Sequence, residues 1–328
     1  MPTPRVGCAA FPTDLPFARQ VATARDWPCI QADVTRFPDD EIDVQWPAPL
    51  PQTVVLVTSL VSTHDQSVHD RIMELVFGLH QLKEAGVARC IGLVPYLGYT
   101  RSDTKATPTN LLGLKAIARH LTYAGLDALL TVDAHTPAAL HNAFSGPTWS
   151  MNPVSVMAEQ VDHQLPEGAK VAVCAPDAGA WKRAQAWAQA LATPQRGPVE
   201  LALVHKQRIR PDTVTQNAFM GDVTGRTVLV VDDMISTGGT MAQAVQTCYD
   251  AGAQSVWAAV THGLLLDSAP TRLRTAGLER LFVANTIPAD QVTSTPLHSR
   301  THTVDVAPRC AQDLTAVMTR EAFARPSP

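Results

Sequence analysis

Asp232 and Asp233 stand side by side, and three residues later comes Ser236-Thr237-Gly238-Gly239-Thr240. The apolar run Val228-Leu229-Val230-Val231 precedes the acids, and an amphipathic segment follows the loop. A strand that ends in acids and turns through small residues into a helix puts that turn at the carboxyl end of a parallel strand, where open α/β sheets bind ligands. Residues 236–240 offer hydroxyls and backbone N–H groups to a phosphate at a helix N-terminus, and the helix dipole adds to the attraction. Gly238 and Gly239 let the backbone approach without a Cβ in the way. The two carboxylates are acceptors and cannot hold phosphate; beside one they suit ribose hydroxyls or Mg²⁺. A turn with an ordinary N-cap and two surface acids is the plain reading of Thr-Gly-Gly-Thr alone, and the double acid with its upstream strand argues against it.

Other reactive side chains fall at similar junctions. Asp177 follows the apolar run Lys170–Cys174, Asp133 and His135 follow Ala128–Val132, and Arg101, Asp103 and Lys105 follow Cys90–Val94. Lys206, Arg208 and Arg210 form a basic stretch, while Phe37 leads an acidic turn with Asp39, Asp40 and Glu41. Taken singly these read as charged loops, solvated faces and a hydrogen-bonded histidine.

The elements that position them repeat one pattern. Short apolar runs (Thr53–Val57, Cys90–Val94, Ala128–Val132, Lys170–Cys174, Leu201–Val204, Thr227–Val231 and Val256–Thr261) read as buried strands. Between them, residues 72–85, 111–121, 181–191 and 240–249 have helical apolar spacing, with Gly86, Gly125 and Gly252 as stops. Continuous apolar strands alternating with amphipathic helices predict an α/β protein with parallel sheets covered on both faces. The 328 residues allow two such domains, placed at 1–150 and 151–328 with the join in the Pro-containing stretch 145–153.

Composition narrows the function classes. Apolar residues make up 45% and charged residues 17%, which excludes global disorder. A net charge of −4 gives no basis for a nucleic-acid partner. The six cysteines are scattered without a CxxC pair, against a zinc ribbon, a redox dithiol or a secreted disulfide scaffold. No stretch approaches the roughly 20 apolar residues of a membrane span, so no membrane partner and a cytoplasmic location are expected.

The 228–240 segment closely resembles the phosphoribosyl-diphosphate fingerprint of the type I phosphoribosyltransferase fold. That fold hosts phosphoribosyltransferases, which consume the diphosphate, and ribose-phosphate diphosphokinases, which make it. A transferase usually has one such domain; the diphosphokinase has two. Further segments are similar to the diphosphokinases specifically. Phe37-Pro38-Asp39-Asp40-Glu41 looks like their nucleotide loop, with Asp40 where glycine is usual. Pro95-Tyr96-Leu97-Gly98-Tyr99-Thr100-Arg101-Ser102-Asp103 looks like a second, with Ser102 replacing glutamine. Asp133-Ala134-His135 is similar to an Asp-x-His whose histidine serves the metal–ATP site, and Pro176-Asp177-Ala178-Gly179-Ala180 to a loop whose aspartate helps hold Mg²⁺ and ribose. His205–Arg210 resembles the family's mobile catalytic loop, matching at Lys206 and Arg208 and departing at Gln207 and Ile209. Ser236 stands where many bacterial members carry aspartate.

The resemblance spans about residues 31–308 and implies two type I phosphoribosyltransferase-like domains, each a mainly parallel sheet flanked by helices. It implies ribose 5-phosphate on Asp232, Asp233 and Ser236, Thr237, Gly238, Gly239 and Thr240. ATP is expected at Phe37, Asp39, Glu41, Arg101, Ser102, Asp103 and His135, with Mg²⁺ at His135 and Asp177 and with Lys206 and Arg208 as the catalytic cations. Homo-oligomers are also implied. A phosphoribosyltransferase, or a non-catalytic regulatory relative of the synthase, is the alternative; the first needs none of the nucleotide segments, and the second would be marked by loss of the catalytic loop.

Overall fold

In a computed structural model the alternating pattern folds into two α/β units. The structure describes residues 5–105, 107–194, 196–207 and 216–324, the side chains of 205–207, 216–218 and 319–324 excepted. One unit holds Met1–Asn152, Thr286–Pro288 and Val306–Pro328; the other holds Pro153–Asn285 and Ala289–Asp305.

The first unit runs β1 (Val6–Ala10), α1 (Leu15–Thr23), β2 (Cys29–Gln31), the hairpin β3 (Asp33–Arg36) and β4 (Ile42–Gln45), then β5 (Thr53–Val57) and α2 (Val68–Glu84). It continues with β6 (Arg89–Val94), α3 (Gly113–Tyr123), β7 (Ala128–Val132), α4 (Pro137–Ala143) and β8 (Thr148–Met151). The sheet order is β2-β1-β5-β6-β7-β8 with every neighbouring pair parallel. Successive strands leave β1 in one direction and β5 in the other, so the winding reverses between them. Continuous apolar sequence in β5, β6 and β7 follows from burial on both faces.

At that reversal the crest of the sheet is filled by the protein itself. Arg71 of α2 is 1% exposed and pairs with Asp14 and with Glu74, whose Oε2 lies 2.6 Å from its Nη1. Its Nη2 also donates to Thr58 Oγ1 at 3.0 Å, and Asp14 accepts the Ser59 N–H at 3.0 Å. Burial raises the pKa of both Asp14 and Glu74, and the Arg71 charge opposes the shift. The cluster ties the loops after β1 and β5 to α2.

The second unit runs α5 (Val154–Asp162), β9 (Val171–Ala175), α6 (Trp181–Leu191), β10 (Glu200–Gln207), β11 (Gln216–Met220), β12 (Thr227–Ile235) and α7 (Gly239–Asp250). It ends with β13 (Ser255–Gly263), α8 (Ala269–Thr275), β14 (Arg280–Ala284), α9 (Ala289–Thr293) and β15 (Thr301–Val304). Its sheet order is β11-β10-β9-β12-β13-β14-β15, parallel except for the β10–β11 pair. The last helix, α10 (Ala307–Ala324), packs on α1, β7 and β8 of the first unit, and Trp149 Nε1 donates to Asp313 Oδ2 at 3.0 Å. The units are therefore not sequential halves: a linear 151–328 domain would carry this helix in the second. No helix among the described residues is long and apolar enough to cross a membrane.

Two expected strands are longer than their apolar runs. β12 continues through both acids to Ile235 because β13 keeps pairing with it, Met234 opposite His262 and Ile235 opposite Gly263. β10 extends to Gln207 because β11 returns antiparallel along it. Removing the cation from the buried cluster of the first unit strands two carboxylates, so Arg71→Ala is expected to lower stability by about 3–5 kcal/mol in urea unfolding.

Candidate active site

The second unit's sheet is wound outward from its centre. β9 leads through α6 to β10 on one side, and β12 leads through α7 to β13 on the other, so β9 and β12 flank the point where the winding reverses. Pairing between them ends at Val230 opposite Cys174, while β12 runs on for five residues beside β13 alone. Asp232 and Asp233 lie on this overhang, one edge of which has no strand partner. Crevices of this kind, at the carboxyl ends of strands, are where such sheets take ligands.

Burial first, and the charge of Asp233 second, push the Asp232 carboxyl up to about 7; the Asp233 N–H, donating to Asp232 Oδ1 at 2.9 Å, and the Arg183 guanidinium pull it back. Arg183 sits on α6; in sequence it reads as a surface helix charge, though it matches an arginine of the resembled family, and its charge acts on Asp232.

Past Ile235 the chain turns through residues 236–238. Ile235 and Ser236 carbonyls accept the N–H groups of Leu265 and Leu266 at 3.1 and 3.0 Å, which fixes the turn to the chain leaving β13. Gly238 caps α7 in the left-handed region at φ +73°. A Cβ there would also lie 3.1 Å from that of Ala269, so conformation and space both demand glycine. The first-turn N–H groups of α7 open at this turn, where intrahelical carbonyls cannot reach them. A Cβ on Gly239 would stand 3.3 Å from Arg272 Nη1, which places the α8 guanidinium against the loop. Arg272 lies some thirty residues downstream in another helix, and no local signal singles it out.

Asp177 leaves the end of β9. Its Oδ1 accepts the Gly179 and Ala180 N–H groups at 2.9 and 3.3 Å, capping a single 3₁₀ turn that packs against β12. The cap fixes the carboxylate and engages one oxygen, and Ala180 is accommodated inside the turn. Lys206 falls within β10, opposite Asn217 of β11, where the sequence suggests a loop. Its side chain, like the whole of Arg208, lies outside the described residues.

The nucleotide candidates belong to the first unit. The turn between β3 and β4 is closed by Asp40 N–H to the Phe37 carbonyl at 3.0 Å and Phe37 N–H to the Glu41 carbonyl at 2.8 Å. Asp40 takes φ +68°, the conformation glycine supplies most easily, and Arg36 donates to its side chain and carbonyl at 3.4 Å. Aspartate is among the few residues that tolerate it. Phe37 is 47% exposed, and Asp39 and Glu41 are exposed beside it. Arg101 is exposed in the loop after β6. Ser102 does a structural task there: its hydroxyl donates to the Leu111 carbonyl at 3.3 Å and accepts the Gly113 N–H at 3.1 Å. Asp103 lines a pocket of about 270 Å³ with Lys115 and Asn142. His135 is exposed two residues after Asp133, whose left-handed backbone (φ +46°) turns the chain out of β7.

Among the described residues no three His, Cys, Asp or Glu side chains converge as a metal cage. The acid pair nevertheless sets two carboxyls side by side, Asp233 buried and Asp232 partly buried within reach of the Arg183 charge. That suits a cation held by few protein carboxylates with oxygens from a substrate, the usual manner of Mg²⁺. Because the folded state retains a proton on Asp232 that the unfolded chain loses near pH 4, this group erodes stability as pH rises from about 4 to about 7. The margin by which Asp232→Asn melts above the wild type is therefore expected to widen between pH 5 and pH 7 and to level off at several degrees by pH 8, by thermal unfolding without ligands.

Known proteins match this chain along most of its length. A family model described as the N-terminal domain of ribose phosphate pyrophosphokinase matches residues 10–125, and one described as the phosphoribosyl synthetase-associated domain matches 198–325. A ribose-phosphate pyrophosphokinase of Methanopyrus kandleri is 34% identical over 82% of this chain and 88% of its own. That of Mycobacterium tuberculosis is 33% identical over 92% of this chain and 89% of its own. The crystal structure of phosphoribosylpyrophosphate synthetase from Mycobacterium smegmatis superposes with a TM-score of 0.84 at 28% identity, covering 96% of this chain and 99% of that one. With two type I phosphoribosyltransferase-like units and relatives matched along nearly their whole length, the chain belongs to the ribose-phosphate pyrophosphokinase family.

Proposed function

We propose that the chain transfers the β,γ-diphosphoryl group of Mg·ATP to the anomeric hydroxyl of ribose 5-phosphate, giving 5-phosphoribosyl 1-diphosphate and AMP for nucleotide biosynthesis. The observation that carries this reading is the overhang of β12, which sets two acids directly before a glycine turn and a helix N-terminus. The 5-phosphate rests on Ser236–Thr240, with Arg272 as an added cation, and the ribose hydroxyls donate to Asp232 and Asp233. Adenine stacks on Phe37, whose exposed ring has room for it, with Asp39 and Glu41 accepting from its amino group or ribose. Arg101 and His135 meet the phosphates, Asp103 orients Arg101, and Ser102 holds the base of their loop.

The anomeric oxygen forms a bond to the β-phosphorus as the bond from that phosphorus to the α-phosphate oxygen breaks; AMP leaves with the electron pair, and the hydroxyl proton is released. Such a transfer depends on alignment and charge neutralisation rather than on a covalent catalyst. Lys206 and Arg208 neutralise charge growing on the leaving AMP. His135 of the first unit and Asp177 of the second are the residues that would each offer a ligand to Mg²⁺, which would supply further charge neutralisation on the diphosphate. Ionised Asp232 accepts from the ribose hydroxyls more strongly than the neutral acid does, so substrate affinity rises with pH through about 7. Homo-oligomers are the assembly we infer, to be measured by sedimentation.

The test is ³¹P NMR of the protein with Mg²⁺, ATP and ribose 5-phosphate. Equal amounts of AMP and phosphoribosyl diphosphate are expected, with Lys206→Ala lowering kcat at least a hundredfold. Intact ATP in the presence of phosphate and of several divalent metals would overturn the reading.

A further inference from the structure

We propose that the first turn of α2 is a positioning element for the nucleotide, with Asp70 and His69 each holding one of the two loops that meet ATP. The inference rests on the assignment of Phe37–Glu41 and Arg101–Asp103 to the nucleotide. Ser67 and Asp70 form a reciprocal cap: the Asp70 N–H donates to Ser67 Oγ at 3.2 Å, and Asp70 Oδ2 accepts the Ser67 N–H and hydroxyl at 2.7 Å each. That cap leaves Asp70 Oδ1 pointing outward, where Arg36 Nη2 donates to it at 3.3 Å. Arg36 is the last residue before the Phe37 turn, and its other arm reaches Asp40 inside that turn. One residue earlier on the helix, His69 Nε2 is hydrogen-bonded to the Tyr99 hydroxyl at 2.7 Å. Tyr99 has a left-handed backbone, φ +66°, and its carbonyl accepts the Ser102 N–H at 2.9 Å, so it begins the bend that presents Arg101.

The next residue, Arg71, anchors the same turn in the buried cluster with Asp14 and Glu74. Three consecutive side chains therefore tie three separate segments to one rigid helix end. The outer two contacts are exposed and contribute little to stability. Their effect is on geometry: a loop held in its binding conformation loses less entropy when the ligand arrives. Neither residue touches the nucleotide in this account; each acts through Arg36 or Tyr99.

The experiment compares full-length wild type with Asp70→Asn, Arg36→Gln and their double variant, and with His69→Ala, Tyr99→Phe and theirs. Asparagine keeps an acceptor for the Ser67 cap and sets an NH2 group, which cannot accept, where the oxygen facing Arg36 was. Each single variant is expected to raise KM for Mg·ATP three- to tenfold, with kcat and the KM for ribose 5-phosphate within twofold. Each double variant should be no worse than its worse single, while Asp70→Asn with His69→Ala should multiply the two effects. His69→Gln, which restores a partner for the Tyr99 hydroxyl, should recover most of the loss. The proposal is overturned if KM for ATP stays within twofold, if both KM values rise together, or if kcat alone falls. Calorimetric ATP affinities, measured without ribose 5-phosphate, give the same comparison independently of turnover. A wild type that binds ATP but forms no AMP would defeat the proposed reaction and leave this comparison decisive for the loops.

Discussion

After Val230, β12 keeps its neighbour on one side and loses it on the other, and the chemistry of the second unit hangs on that loss. Parallel strands need crossovers, and crossovers that wind outward in both directions open a cleft at the carboxyl ends of the central pair. The acids are carried into the cleft by a strand that β13 still supports; β9 turns away through Asp177, which leaves Asp232 partly exposed while Asp233 stays buried. Continuing β9 by five residues would pair the free edge of β12 and close the site. The glycine turn, the helix end and Arg272 then have a fixed place to converge on.

The first unit has the same winding and an opposite outcome. Its reversal point, between β1 and β5, is occupied by Asp14, Arg71 and Glu74, a charge network made wholly from the chain. In the proposed reaction, one unit uses its crest to receive a ligand. The other uses its crest to hold loops that act elsewhere, chiefly through the first turn of α2. The shared scaffold is a matter of strand order, and the division of labour is a matter of which side chains the crest receives.

Strand and helix positions were legible wherever burial on both faces writes an unbroken apolar run, as in β5, β7 and β9. The glycine turn before α7 was legible because glycines, hydroxyls and acids are local to it. Contacts made across the chain left no such mark. The extension of β12 to Ile235 is decided by β13, and that of β10 by β11. Arg183 reads as an exposed helix cation and Arg272 as one more basic residue; the packing of α6 and α8 turns them toward Asp232 and Gly239. Ser102 looked like a substitution inside a ligand motif, whereas its hydroxyl secures the start of α3. Asp40 replaces a usual glycine, yet the backbone takes the glycine conformation because an aspartate can be stabilised there by Arg36.

The return of α10 to the first unit governs the order in which the molecule is made. Residues 1–152 leave the ribosome well before residue 306, so the surface of α1, β7 and β8 that α10 covers stays open while the entire second unit is synthesised. The second unit, whose segments are nearly contiguous, has all its strands in hand by Val304 and can close first. The first unit is therefore completed last although most of its residues are made first, and the surface that α10 covers stays bare for an interval set by the length of the insert that separates it from its last helix.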